Sequence, residues 1–353
     1  MSDTPILYFV VPGDIDTRTG GYGYDRSIIA GLRELDWDVR LVSLAGSYPM
    51  PTAEDRQNAA RVLAGLPDDA LVVVDGLALG AIPDEARVER ERLRIVALVH
   101  HPLGLETGLS QPMSEQLLDS ERRALQSARA VVVTSKRTVR AVVDLGVSRD
   151  HIVVVEPGTD LSNEALGSSS DTLEMLCVAS LVPRKGHDTL FDALEQLTDL
   201  KWHLTCAGRL DRGDPYASEL VQRSETAPLA GRVTIAGELR GDALEHAYGH
   251  TDLFVLPTHY EGYGMVVAEA LAHAIPVVST PTGGIADLVG NDAGVLIQAG
   301  DVAALTDTLR RVLADRALLA MLRAGARRAR IAIPTWTQAC STMADALARF
   351  ANA

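Results

Sequence analysis

The sequence predicts an α/β protein of two doubly wound domains in series, and three observations carry that reading. Short apolar runs rich in Val and Ile alternate with amphipathic stretches along nearly the whole chain, the pattern of a parallel sheet covered by helices on both faces. The alternation is interrupted by a small, polar stretch, E-A-L-G-S-S-S-D at Glu164–Asp171, and then begins again, which marks a linker. At 353 residues the chain is also long for one core, so two domains are the natural division.

In the first half the expected strands are Ile6–Val11, Val39–Leu44, Leu71–Val74, Ile95–Val99, Val131–Thr134 and Ile152–Val155. Amphipathic stretches such as Tyr24–Leu35 and Met113–Ser127 supply the helices between them. In the second half the runs Leu173–Val178, Trp202–Ala207, Val233–Ala236, Leu253–Leu256 and Pro276–Ser279 repeat the scheme. Helical stretches at Val302–Ala314 and Ala317–Ala329 come next, Ile333-Pro334 breaks the pattern, and a last helix is expected near Trp336–Phe350. The expected domains are therefore 1–163 and 171–333, with 334–353 as a terminal helix. Two such halves place a cleft between them, and doubly wound sheets bind ligands beyond the carboxyl ends of their strands.

Charge and composition exclude several function classes. The net charge of −14 divides evenly, with 17 basic and 24 acidic side chains in residues 1–160 against 16 and 23 in the remainder. Neither half is a basic platform for nucleic acid or an anionic bilayer. Cys177, Cys206 and Cys340 are odd in number and widely spaced, which predicts buried reduced thiols and no disulfide framework. The M-S-D-T-P start is too acidic, and the apolar run after it too short, for a signal peptide. No apolar stretch approaches the roughly twenty residues that span a bilayer. A cytoplasmic protein without an integral membrane segment is the expectation.

The chemistry-bearing motifs fall at predicted strand ends. After the first strand comes P-G-D-I-D-T-R-T-G-G-Y-G, where Gly20 and Gly21 let backbone approach a ligand and open a helix. A dinucleotide fingerprint fails here, because Arg26 stands where a small residue is needed and the second strand ends without an acid. A plain glycine turn is the competing reading. The D-x-D spellings at Asp14–Asp16 and Asp36–Asp38 occur twice within 25 residues and are set aside. The fourth strand ends in His100 and His101 before Pro102, which puts two tunable imidazoles at the cleft edge. No third ligand stands at metal-site spacing, and a capping or surface histidine is the alternative.

In the second half, Pro183–Gly186 reads P-R-K-G between a strand and a helix. The chain has three lysines, Lys136, Lys185 and Lys201, against thirty arginines, so a lysine at this place is not background. Arg184 and Lys185 beside a helix start suit a diphosphate leaving group, whereas a solvated basic loop is the plainer reading. Thr258–Ala274 then reads T-H-Y-E-G-Y-G-M-V-V-A-E-A-L-A-H-A. Glu261, Gly262, Tyr263 and Gly264 form a turn, and from Met265 onward the helix is apolar on every side except Glu269, which predicts a buried helix. A buried acid needs a partner; the candidates are a ligand at the helix start or His273 at i+4. Gly283 and Gly284 offer backbone N–H groups at the next strand end.

Taken together, the motifs resemble the retaining glycosyltransferases of family four, with two Rossmann-like domains facing across a cleft in the GT-B arrangement. The most specific element is the pair of glutamates in E261-G-Y-G-M-V-V-A-E269; Gly20-Gly21, His100, E-P-G-T-D at Glu156–Asp160, P-R-K-G and Gly283-Gly284 support it. The resemblance implies that Glu269 binds the donor ribose, Glu261 the donor sugar and Lys185 the diphosphate. It implies that Gly20, Gly21, Gly283 and Gly284 lie against the donor, that His100 touches the sugar, and that His101 or its loop is nearer the acceptor. The final helix would cross back onto the first domain. The family's arginine five residues before the lysine is here Ser180, with Arg184 and Arg209 as replacements. The implied activity is transfer from a UDP- or GDP-sugar to a hydroxyl acceptor, a small molecule in preference to a lipid, with no cofactor, no metal and no nucleic-acid partner. A nucleotide-sugar epimerase and a non-catalytic nucleotide-sugar-binding module are the rivals.

Overall fold

A computed structural model describes residues 4–351 apart from positions 18, 107, 169 and 212. The chain forms two compact units, Met1–Gly158 together with Pro334–Ala353, and Thr159–Ile333. The first holds strands β1 (Ile6–Pro12), β2 (Asp38–Leu44), β3 (Leu71–Asp75), β4 (Arg94–Val99), β5 (Ala130–Val133) and β6 (Ile152–Val154). The second holds β7 (Leu173–Val178), β8 (Trp202–Ala207), β9 (Val233–Gly237), β10 (Leu253–Leu256), β11 (Val277–Ser279) and β12 (Gly294–Leu296).

Each unit is one parallel six-stranded sheet covered by helices. The first runs β2-β1-β3-β4-β5-β6 and the second β12-β11-β10-β7-β8-β9. Both are Rossmann-like, and the second has the doubly wound order in which the chain leaves the first strand in one direction and restarts beside it in the other. The strand order reverses between β7 and β10 in the second sheet and between β1 and β3 in the first. Central strands are buried along their length, β3 at every residue and β10 at every residue, which is why they read as unbroken apolar runs and not as alternating ones.

The final helix, Trp336–Ala351, belongs to the first unit. It packs on the Gly20–Glu34 helix so closely that a Cβ on Gly31 would lie 2.2 Å from the Cys340 sulfur. The Trp336 ring stands 6.0 Å from that of Tyr24. All three cysteines are free and buried.

Three local expectations change. Glu164–Asp171 is no free linker: the Ala165 N–H bonds to the His273 carbonyl and the Leu166 N–H to that of Gly249, both within the second unit. The two units divide after Gly158, where the sequence reading ended the first domain at residue 163, and buried Asp252 accepts the N–H groups of Ser168 and Glu174 within the second unit. The first helix begins at Gly20, four residues before its amphipathic pattern, because Thr19 caps it through the Tyr22 N–H. Three-residue β12 is too short to stand out in the sequence. No helix among the described residues is long and apolar enough to cross a membrane.

Candidate functional site

In the second unit three loops meet at the carboxyl ends of β7, β10 and β11, on the strands flanking the reversal point. The loop after β7 tightens into a single turn at Pro183–Lys185, and Gly186 turns left-handed at φ +70° to open the His187–Leu194 helix. A Cβ there would sit 2.2 Å from the Pro257 carbonyl oxygen, so the β7 loop and the end of β10 touch backbone to backbone. The His259 N–H also donates to the Arg184 carbonyl at 2.8 Å. The third loop is locked the same way: Gly283 is left-handed at φ +54°, and a Cβ on it would lie 2.1 Å from the Glu261 carbonyl oxygen. The Gly284 N–H donates to Gly262 at 3.1 Å.

These contacts put the predicted residues on one patch. The Lys185 ammonium donates to Glu261 Oε1, and both side chains are largely buried, at 14% and 12% exposure. The Arg184 guanidinium donates to the Tyr260 carbonyl at 2.7 Å and stands 3.7 Å from Glu261. A largely buried lysine–glutamate pair adds little net stability once its desolvation is counted. Ser180 contributes a turn, its carbonyl accepting the Val182 N–H at 2.9 Å; Arg209, exposed, contributes a backbone carbonyl to Leu181 at 3.0 Å.

Glu269 lies on the helix Met265–Ala272, whose first residue follows Gly264 at φ +98°. That helix is not buried all round. Met265, Val266 and Glu269 are partly open and share one stripe, while the other five residues are buried. Within the unit, Glu269 Oε2 accepts the Tyr248 hydroxyl at 2.8 Å. His273 does not pair with this carboxylate. Its Nδ1 bonds to the Glu269 carbonyl at 2.8 Å and its Nε2 to Glu245 at 3.0 Å, while its ring stacks on Tyr248 at 4.7 Å. Burial raises the Glu269 pKa, with Tyr248 and His273 offsetting part of the rise. Tyr248 is invisible in the sequence, because a tyrosine on an amphipathic helix reads as packing.

In the first unit Gly20 and Gly21 are the first two residues of their helix. A Cβ on Gly20 meets nothing within 4 Å, whereas one on Gly21 would touch the His100 ring at 3.4 Å. His100 does not sit as an imidazole poised near neutrality. Its Nε2 lies 3.2 Å from Asp25 and 3.5 Å from Asp75, two buried acids at the β1–β3 reversal that no sequence motif singles out. Burial opposes its charge, but the two carboxylates outweigh that and hold its pKa up to about 10. This trio is also the one grouping of His, Cys, Asp and Glu among the described residues whose ligand-type atoms all lie within 4.8 Å of one another. His100 faces both carboxylates as an ion pair when its ring is protonated. His101 pairs with Glu106 at 3.2 Å.

Just past these histidines, buried Glu121 accepts the Leu103 N–H at 2.8 Å, and burial pushes its pKa up to about 8. As pH rises above the ordinary 4.5 the unfolded chain loses this proton first, so stability falls between about 4.5 and 8. Glu121→Gln keeps the acceptor and removes the charge. It is expected to flatten that fall and add roughly 2–4 kcal/mol at pH 8.5, measured by urea unfolding across pH. Gly283→Ala is expected to cost about 1–3 kcal/mol from its backbone angle, because its Cβ would meet the Glu261 carbonyl oxygen, checked by urea unfolding.

The chain is similar to known proteins. Residues 159–329 match the model of the glycosyl transferases group 1 and residues 69–163 that of glycosyltransferase family 4. The chain belongs to this family. Among group 1 relatives, a D-inositol 3-phosphate glycosyltransferase of Xylanimonas cellulosilytica is 30% identical over 247 residues, covering 65% of this chain and 59% of that one. An MMP alpha-(1->4)-mannosyltransferase of Mycolicibacterium hassiacum is 24% identical over 90% of this chain and 80% of its own. The chain spans about half the length of the first curated relatives it matches, 59%, 46% and 50%. Among solved structures, the sucrose-phosphate synthase of Thermosynechococcus elongatus superposes with a TM-score of 0.81 at 21% identity, over 99% of this chain and 100% of the other. Anabaena HepE in complex with UDP-glucose gives 0.76 at 17%, over 97% and 99%. These likenesses carry the GT-B fold.

Proposed function

We propose that the chain is a retaining glycosyltransferase that moves a sugar from a nucleoside diphosphate to a hydroxyl acceptor. The observation that carries this reading is the meeting of Lys185, Arg184 and Glu261 on backbone-locked loops at the β7–β10 reversal, with Glu269 on the helix that follows. Lys185 exchanges Glu261 for the diphosphate, next to the positive end of the helix opened by Gly186. Released from the lysine, Glu261 accepts hydrogen bonds from sugar hydroxyls. Glu269, on the open stripe of its helix, accepts from the ribose, and Gly283 and Gly284 bring backbone against the donor. The same reading assigns Gly20, Gly21 and His100 to the sugar and His101 to the acceptor.

The bond from the anomeric carbon to the diphosphate oxygen breaks as the acceptor oxygen bonds to the same face. The acceptor proton passes to the departing phosphate oxygen. Charge developing on the diphosphate is met by Lys185 and Arg184, so in this reading transfer needs neither a metal ion nor a protein base. Names among the relatives and neighbours, D-inositol 3-phosphate and UDP-glucose, support a small hydroxylated acceptor and a UDP- or GDP-sugar; we place the activity in the cytoplasm.

A thermal-shift screen of sugar nucleotides tests the donor, since a ligand at 100 times its Kd stabilises by about 2.7 kcal/mol. Stabilisation followed by transfer to an added hydroxyl acceptor is the expected result. An isomerised sugar nucleotide formed without acceptor would replace transferase by epimerase, and binding with no turnover would leave a binding module.

A further inference from the structure

The way His100 is held says more than its position. The Cδ2–Nε2 edge of its ring lies against the Gly20–Glu34 helix, where a Cβ on Gly21 would sit 3.4 and 3.5 Å from those two atoms. Nε2 faces both Asp25 and Asp75, and no other side chain among the described residues bonds to the ring. Tyr24 stands edge-on to it, 5.3 Å away at 84°, and fixes its plane. Asp75 is itself anchored, accepting the Leu77 N–H at 2.6 Å at the end of β3. Asp25 is wholly buried and its Oδ2 has no hydrogen-bond partner.

Building on the reading of His100 as a group that touches the sugar, we propose that Asp25 and Asp75 are positioning residues: they turn Nε2 inward and present the opposite edge, carrying Nδ1–H, to the substrate as a fixed hydrogen-bond donor. Two carboxylates this deeply buried are costly without a cation, and the imidazolium is the one within reach among the described residues. Burial pushes Asp25 up to about 7, whereas Asp75 stays below its usual range because His100 and Leu77 outweigh its own burial. The remaining titratable groups facing the cluster from the same helix are Tyr22, held by burial up to about 12, and Tyr24, held well above its usual value. Both stay neutral across the working range. His100 therefore gives a hydrogen bond and takes no proton, which fits a transfer in which the leaving group collects the acceptor's proton.

Two measurements on the full chain test this. Nitrogen-15 NMR of the histidine side chains should show His100 doubly protonated through pH 8 in the wild type. In Asp25→Asn its pKa should fall by about 2 units or more, and kcat should decline as pH rises through neutrality while donor KM stays within about two-fold. Independently of that variant's folding, His100→Asn places an amide where Nδ1 was and His100→Gln places one where Nε2 was. The asparagine variant should retain about ten times the kcat of the glutamine variant, one hydrogen bond's worth. An ordinary His100 pKa near 6.5 in the wild type, equal or better rescue by glutamine, or a stoichiometric metal ion in the purified protein would overturn the proposal. If no sugar nucleotide binds at all, the transfer reading falls, and the NMR titration still decides the clamp.

Discussion

Lys185→Ala is expected to lower turnover by about 100- to 1,000-fold, because removing one preorganised donor from developing charge in a water-poor site typically costs that much. Charge alone does not set this lysine apart, since thirty arginines supply charge elsewhere. Its place does: the ammonium is largely buried, next to a helix start and in contact with Glu261. Lys185→Arg would keep the charge but not the compact head, and a partial loss of about ten-fold is expected. Steady-state kinetics with the identified donor separates the two. The loss should appear in kcat, with KM changed much less, if the lysine acts chiefly on the leaving group in the transition state. An unchanged kcat in the alanine variant would remove Lys185 from the mechanism.

Glu269→Ala has the second large effect, on affinity. A charged hydrogen bond contributes about 1.5–3 kcal/mol, so donor and free nucleotide should both bind about 10- to 100-fold more weakly. Tyr248 provides the control. Its hydroxyl already occupies Oε2, so Tyr248→Phe keeps the carboxylate but frees its orientation, and a smaller loss, about two- to five-fold, is expected. Calorimetry with the nucleoside diphosphate reads both. Equal affinity in wild type and the alanine variant would leave Glu269 as a helix acid satisfied by tyrosine.

Both sheets were legible because strands buried on two faces leave unbroken apolar runs, as at Leu71–Val74 and Leu253–Leu256. The reversal points were not legible as such. Strand order is a property of pairing, and nothing local in Leu173–Val178 says that β10 will lie beside it. The second-unit candidate residues stand out in the sequence by type, a rare lysine and an acid on a largely apolar helix. Their internal partners do not. Asp25 and Asp75 stand 75 and 25 residues from His100, and each alone reads as a surface acid or a cap. The same reason hid the pairing of Lys185 with Glu261, which are 76 residues apart.

A crystal structure with a UDP- or GDP-sugar bound is the decisive measurement. The diphosphate should lie within hydrogen-bond reach of the Lys185 ammonium, which has left Glu261, and the ribose hydroxyls should lie on Glu269. A nucleotide seated elsewhere, with Lys185 still on Glu261 and Glu269 bonded to Tyr248 alone, would contradict this.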